Sequence, residues 1–278
     1  MKLVRYGESG LERPGLIDAG GTLRDLSGHV GNICGKALSP HALERVRGLR
    51  ADELPRVEKL PRFGPCVAGV GKFVCVGLNY IDHIREAGAA VPKEPVLFMK
   101  ATSTIVGATD SIVIPPGATK VDWEIELGVV NGSQAKNISE RDALDHIAGY
   151  MVVNDLSERA WQLEGTGQWV KGKSADTFGP IGPWLVTCDE IPDPQALDLW
   201  LSVNGKARQQ SSTAQMIFPV AKLVNYISTF MSLQPGDIIA TGTPAGVGLG
   251  ARPPTYLKYG DIVKLGVTGL GEQCQTVV

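Results

Sequence analysis

The sequence predicts a strand-rich α+β fold, with a small N-terminal unit over residues 1–65 ahead of a larger domain over 66–278. Three observations lead there. The chain of 278 residues holds 34 glycines and 18 prolines, a density of turn formers that leaves few long stretches free for helix. Apolar residues fall in short runs of strand length or in alternation, as in Val121, Trp123, Ile125, Leu127 and Val129. The clearest helical stripe, Val220, Leu223, Val224, Ile227, Phe230 and Met231, comes late in the chain.

Taken in order, the first element is a helix opened by Ser39 as N-cap and Pro40 at the first helical position, with Leu43, Val46 and Leu49 on one face. Pro55, Pro61 and Pro65 then mark a linker. Phe73 to Val76 reads as a buried strand. Residues 77–95 begin Gly77-Leu78-Asn79-Tyr80 and run through Asp82, His83, Arg85 and Glu86 to Gly88 and Pro92, a polar helical turn in loop or lid material. Extended structure resumes at Val96 to Met99 and at Ser111 to Ile114.

The alternation from Val121 to Val129 predicts one strand that places Asp122, Glu124 and Glu126 on a shared face. Ser139 and Asp142 open a short helix through Leu144 and Ile147, ended by Gly149 before a strand over Tyr150 to Val153 with Asn154-Asp155 at its tip. Leu199, Leu201 and Val203 lead into Asn204-Gly205, a hairpin turn. The late helix stops before Pro235-Gly236, and Ile238 to Ala240 runs into a loop with Gly246, Gly248 and Gly250.

Bulk properties narrow the function classes. With 27 Lys+Arg against 29 Asp+Glu the formal charge is −2, and no basic run supplies the field that nucleic acid binding needs. No stretch approaches the roughly 18 apolar residues of a membrane span, and the opening MKLVRYGESG lacks the apolar core of a signal peptide. A cytoplasmic protein without membrane or nucleic acid partners is expected. The five cysteines, Cys34, Cys66, Cys75, Cys188 and Cys274, are scattered without a C-x-x-C, as reduced thiols are.

Glu124 and Glu126 stand two apart on a strand, so their carboxylates point the same way and repel unless a cation lies between them. Oxygen ligands suit Mg²⁺, Mn²⁺ or Ca²⁺; a solvated acidic face of an edge strand is the alternative that spacing leaves open. The four histidines form no zinc pattern in sequence. His83 and Glu86 are neighbours on a helical turn, where the carboxylate can orient the imidazole as a general base; a solvated surface histidine has the same spacing. Lys173, among glycine, serine and aromatic residues, is either a cation for a developing enolate or a solvated loop lysine. The Gly246 to Gly250 loop matches no phosphate-binding pattern and reads as turn glycines.

These segments, in this order, resemble the fumarylacetoacetate hydrolase family. The resemblance rests on Gly77-Leu78-Asn79-Tyr80-Ile81-Asp82-His83, Asp122-Trp123-Glu124-Ile125-Glu126-Leu127, Asn154-Asp155-Leu156-Ser157-Glu158-Arg159, Gly172-Lys173-Ser174-Ala175-Asp176-Thr177-Phe178, Thr241-Gly242-Thr243-Pro244-Ala245-Gly246-Val247-Gly248 and Gly269-Leu270-Gly271-Glu272. It implies a roll of mixed β-sheets with a smaller N-terminal domain, paired into a homodimer. It also implies a divalent metal, Mg²⁺ or Mn²⁺ with Ca²⁺ as a further candidate, held by Glu124, Glu126 and Asp155 and chelated by a small 2-oxo acid substrate. His83 and Glu86 would activate water on a lid, Lys173 would face the enolate, and Thr243 would help hold the substrate carboxylate.

The implied reaction is hydrolysis of a C–C bond in a 2,4-dioxo acid, either an acylpyruvate or a 2,4-diketo-3-deoxy sugar acid, releasing pyruvate. The wording around Trp161-Gln162 and Gln168-Trp169 is most similar to the subgroup that cleaves such sugar acids or is called ureidoglycolate lyase. Oxaloacetate decarboxylation, isomerisation of 2-hydroxyhepta-2,4-diene-1,7-dioate and ureidoglycolate cleavage draw on the same enolate chemistry. A structural module that merely holds a divalent ion would need neither His83 with Glu86 nor Lys173. Where many family members carry Ser-Ala-Arg-Asp, this chain has Ser157-Glu158-Arg159-Ala160.

Overall fold

A computed structural model describes residues 1–58 and 61–278. Its centre is a nine-stranded sheet. In spatial order the strands are Leu23–Asp25, Arg13–Ile17, Lys2–Tyr6, Leu185–Thr187, Ile147–Asn154, Ile125–Asn131, Ile238–Ala240, Phe73–Gly77 and Val96–Lys100. Most neighbours are antiparallel, but Ile238–Ala240 runs parallel to Phe73–Gly77, which makes the sheet mixed. A four-stranded antiparallel sheet of Lys206–Ser212, Asp198–Val203, Ile262–Val267 and Gly271–Thr276 packs against it.

The central strands are buried on both faces, so alternation sorts residues between two cores and not between core and water. Val74 and Val76 join the core shared with the four-stranded sheet and the helix Val220–Phe230. Phe73 and Cys75, one residue out of phase, join the core shared with the N-terminal strands and the helix Pro40–Arg47. Each buried Val, Leu or Ile contributes roughly 1.5–3 kcal/mol.

The N-terminal helix begins as expected, with Ser39 Oγ accepting from Ala42 N at 3.3 Å and Leu43 and Val46 buried. Residues 1–65, set apart by the sequence, contribute three strands to the large sheet through the pairing of Lys2–Tyr6 with Leu185–Thr187. The hairpin at Asn204-Gly205 and the strands at Phe73 and Val96 form where expected.

Four local expectations are corrected. The run Val121–Val129 is not one strand: Val121–Asp122 pairs with Ser157–Glu158, and a new strand starts at Ile125. At the break, the buried Gln209 Oε1 accepts from Ile125 N at 2.9 Å, replacing a ladder bond. The turn opened by Ser139 and Asp142 becomes the 3₁₀ segment Ala143–His146, and Gly149 lies inside the strand Ile147–Asn154 rather than ending a helix. A Cβ at Gly149 would sit 2.1 Å from Val186 O, so close strand approach explains that glycine. Ser111 to Ile114 forms no strand, only the single bridge Ile112 to Val277. The late helix ends at Phe230, where Met231 turns extended, ahead of Pro235.

Candidate active site

Strand register assembles the acidic cluster. Ile125 stands opposite Asn154 in the central ladder, so the residues just beyond that pair, Glu124 and Asp155, come together at one end of it. Asp155 N donates to Glu124 O at 2.9 Å and closes the end. Glu126, two residues along, turns its side chain to the same place, and one carboxylate oxygen from each of Glu124, Glu126 and Asp155 lies within 4.8 Å of the others. All three acids are buried. The open alternative of a solvated acidic face is thereby excluded for Glu124 and Glu126.

Asp122 does not join them. The break in the strand turns it toward Arg159, whose Nε donates to Asp122 Oδ2 at 2.8 Å. Asp122 also accepts from Gly248 N at 2.7 Å and Leu249 N at 2.9 Å, so it anchors the glycine-rich loop.

Buried cations surround the cluster. Lys173 Nζ donates to Glu124 Oε2 at 2.6 Å and to Asp155 Oδ2 at 2.7 Å. Lys100 Nζ donates to Asp155 Oδ1 at 2.5 Å and to Leu156 O at 3.0 Å. Arg159 Nη2 lies 2.7 Å from Glu124 Oε1, an ionic contact without hydrogen-bond alignment. Lys173 is thus no solvated loop lysine.

Charge is distributed unevenly among the acids. Burial works against ionisation of Glu124, but Lys173 and then Arg159 overcome it and hold its pKa at about 2. Burial pushes Glu126 well above the usual carboxylate range, and the neighbouring Asp155 and Glu124 push it further. Among the described residues its carboxylate accepts only from Gly242 N, at 2.7 Å, and no lysine or arginine forms an ion pair with it. Lys173, despite burial, is held charged by Asp155 and Glu124.

Four acids (Asp122, Glu124, Glu126, Asp155) meet three cations (Lys100, Arg159, Lys173), so full ionisation leaves 3 − 4 = −1. A hard divalent ion fits this donor set: three carboxylates, no histidine or thiolate, and one acid that lacks a counter-charge. With the ion bound, the same count becomes +1, a balance suited to an anionic substrate.

His83 is carried on the helix Ile81–Ala87. Its Nδ1 is 3.3 Å from Glu86 Oε2, and Glu86 accepts from Gly246 N at 3.0 and 3.1 Å. Glu86 thereby ties this helix to the glycine-rich loop. Gly246 adopts φ +103°, and a Cβ there would meet Arg208 O at 1.9 Å, which restricts the position to glycine. Asp82 Oδ2 accepts from Ser211 Oγ at 2.6 Å, a second tie for the segment expected to act as a lid.

Glu124, Glu126, Lys173, His83 and Thr243 line one cavity of about 170 Å³. Asp155 lies behind it with Lys100, fully buried. Glu86 lines an adjoining outer pocket that shares His83. Thr243 Oγ1 donates to Ile125 O at 2.9 Å and accepts from Gln209 Nε2 at 2.8 Å, which fixes the loop to the acidic strand.

Sequence reasoning gave no role to Lys100 or Arg159. Lys100 closes the apolar run from Val96, and a lysine at the end of a buried strand demands a partner. Arg159 sits inside a quoted motif, and its partners depend on the strand break that alternation concealed. Glu158, at the departure from the family pattern, is an N-cap whose side chain accepts from Ala160 N, Thr119 N and Lys120 N.

Comparison with known proteins gives a consistent picture. The family model of the fumarylacetoacetate (FAA) hydrolase C-terminal domain matches residues 72–278. A Burkholderia ambifaria protein provisionally named a hydrolase is 59% identical over 277 residues, covering 99% of this chain and 98% of the relative. The solved fumarylacetoacetate hydrolase of Exiguobacterium antarcticum is 36% identical with a TM-score of 0.86, covering 100% of this chain and 99% of that one. Maleylpyruvate hydrolase of Sphingobium, solved with manganese(II) and pyruvate, is 27% identical with a TM-score of 0.82 at 100% and 99% coverage. The 5-carboxymethyl-2-hydroxymuconate delta-isomerase of Mycobacterium smegmatis is 30% identical with a TM-score of 0.77, covering 100% and 98%.

Proposed function

The chain belongs to the fumarylacetoacetate hydrolase family, and on that premise we propose that it is a divalent-metal-dependent hydrolase cleaving the C3–C4 bond of a 2,4-dioxo acid. The carrying observation is that Glu124, Glu126, Lys173 and His83 face one cavity. The substrate is an acylpyruvate or a 2,4-diketo-3-deoxy sugar acid, and the product is pyruvate with the matching carboxylic acid. Glu124, Glu126 and Asp155 would hold Mg²⁺ or Mn²⁺. The bound ion supplies Lewis-acid polarisation of the 2-oxo group.

The protein's own groups carry the protons and the charge. Glu86 accepts at His83 Nδ1, which leaves Nε2 as the basic nitrogen. His83 takes a proton from water as the water oxygen adds to the 4-carbonyl carbon. The C3–C4 bond then breaks with its electron pair passing to C3, giving the enolate of pyruvate and a carboxylic acid. Lys173 stabilises the developing negative charge. The proton on His83 returns to C3, which completes the addition of one water across the bond.

No helix of the described residues is long and apolar enough to cross a membrane. The protein acts in this reading as a cytoplasmic homodimer, on the family resemblance. A second reading, isomerisation of an unsaturated 2-hydroxy acid, is favoured by the M. smegmatis isomerase and would use the same cation and base. A turnover screen of acylpyruvates, 2,4-dioxo sugar acids, 2-hydroxy diene diacids, oxaloacetate and ureidoglycolate with Mg²⁺ or Mn²⁺ decides between them. Pyruvate release from the dioxo acids is expected. A higher kcat/KM for any other class would overturn the hydrolase assignment.

A further inference from the structure

Ile125, the residue between Glu124 and Glu126, is bonded at its backbone N–H and at its carbonyl by side chains from elsewhere in the chain. The N–H donates to Gln209 Oε1 at 2.9 Å, and the carbonyl accepts from Thr243 Oγ1 at 2.9 Å. Gln209 Nε2 donates to Thr243 Oγ1 at 2.8 Å, which closes a ring, and to Pro244 O at 2.9 Å. One residue before Thr243, Gly242 N donates to Glu126 Oε2 at 2.7 Å. A single side-chain amide thus ties the peptide between two of the acids to the loop that holds one of them.

Few other side chains could close this ring. Ile125 N can only donate and Pro244 O can only accept, so the group between them must offer an acceptor to one and a donor to the other. A carboxylate has no donor, an apolar side chain has neither, and asparagine is one methylene shorter. Gln209 is 1% exposed, so bulk water does not stand in for a missing partner.

The strand that carries Gln209 is shaped to aim it. Lys206–Ser212 pairs with Asp198–Val203, but Ser202 faces Ala207 and Leu201 faces Gln209, which leaves Arg208 as an extra residue. Without that bulge Gln209 would stand opposite Trp200, and its side chain would leave the face that the buried Leu201 occupies. The bulge therefore puts one amide into the core from a strand whose other residues are at least partly exposed.

We propose that Gln209 is a positioning residue for the divalent ion, fixing the separation and direction of Glu124 and Glu126 across the strand break. It acts through Ile125 and the Thr243 loop, and stands outside the cavity wall. The inference rests on the reading of Glu124, Glu126 and Asp155 as the ion's ligands.

The test is Mn²⁺ titration calorimetry with the EPR spectrum of the bound ion, on the full chain and three variants. Gln209→Met removes all three bonds at similar volume. It is expected to weaken Mn²⁺ binding about 10- to 100-fold, the usual effect of losing a partner behind the ligands, and to broaden the spectrum of the ion that still binds. Gln209→Asn keeps the amide but not its reach; its loss should be smaller, and it decides the matter if the first variant does not fold. Leu201→Ala hollows the core beside Gln209 without breaking the ring. It should lower the thermal midpoint while leaving Mn²⁺ affinity and spectrum unchanged. Parent-like affinity and spectrum in a folded Gln209 variant, or an equal loss of affinity in Leu201→Ala, overturns the positioning role. Failure of both Gln209 variants to fold overturns it too, by assigning Gln209 to the core alone. Absence of Mn²⁺ binding by the parent protein overturns the ion reading itself, and the role of Gln209 with it.

Discussion

Lys100 Nζ donates to Asp155 Oδ1 at 2.5 Å, and both side chains are shut off from solvent. This pair lies behind the cavity, so Lys100 supports the acidic cluster without lining the substrate space. Removing one partner of a buried ion pair leaves the other uncompensated, at a cost of about 3–5 kcal/mol. Lys100→Met should therefore lower the thermal midpoint of the metal-free protein, toward the lower end of that cost because Lys173 still pairs with Asp155. Added Mn²⁺ should restore part of the loss by supplying positive charge to the same carboxylate. An unchanged midpoint would show that the pair is not a structural support.

The metal assignment predicts complete loss of turnover on chelation and recovery with Mg²⁺ or Mn²⁺. Glu126→Gln should abolish ion binding while leaving the metal-free midpoint unchanged or higher. In the empty site that carboxyl has burial and two neighbouring acids against its charge, so a neutral amide removes a liability. Calorimetric titration of Mn²⁺ checks this. Wild-type affinity in the variant, or full turnover after exhaustive chelation, contradicts the assignment.

A pH effect on stability is expected far from the site. Burial raises the carboxyls of Glu12 and Asp110, but Arg62, joined by Arg5 at Glu12, outweighs it, and both lie below their ordinary values. Arg62 Nη1 is 2.9 Å from Glu12 and Nη2 2.5 Å from Asp110. Since both folded-state values are depressed, the stabilisation is present in full above the unfolded carboxylate range, about pH 4–5. It is lost as pH falls through the folded values. Arg62→Met should be less stable at pH 7 and show a flatter decline between about pH 5 and 3 than the parent. Urea midpoints across that range give the answer, and parallel declines would reject the argument.

The segment carrying His83 should exchange amide hydrogens faster than the sheet. Between Ile81 and Ala87 only Ile84 is buried, and the helix ends at Gly88 in a left-handed conformation. Its ties are Glu86 to Gly246 and Asp82 to Ser211. Residues 81–92 should exchange quickly in the free protein and slowly with oxalate and Mn²⁺ bound. Equal protection in both states would remove the lid from the mechanism.

Much of the fold was legible because local signals and tertiary packing agree. Ser39-Pro40, Asn204-Gly205 and the stripe from Val220 each specify an element whose ends lie within a few residues of the motif. Period-two patterning was misleading where both faces of a strand are buried, since Val121 to Val129 alternates across a break that the sequence does not mark. The break determines that Asp122 pairs with Arg159 and leaves Glu124 and Glu126 in the cluster. Pairwise spacing identified Glu124 with Glu126 and His83 with Glu86. It could not connect Lys100 to Asp155, 55 residues away, because that contact follows from the order of strands in the sheet.

The base assignment makes the sharpest claim. His83 reaches the cavity, and Glu86 fixes its Nδ1, yet neither belongs to the carboxylate cluster. His83→Ala should consequently lower kcat for dioxo acid hydrolysis by roughly 10²- to 10⁴-fold, the usual worth of a positioned base, with Mn²⁺ affinity unchanged. Glu86→Gln should cost less, because the imidazole survives with a poorer partner, although the contact to Gly246 is weakened as well. Decarboxylation of oxaloacetate needs no activated water, so any such side activity should survive in His83→Ala and change the ratio of the two reactions. Wild-type hydrolysis by that variant would transfer the role of base to another group. An equal fall in both reactions would mean that His83 positions the substrate head rather than delivering water.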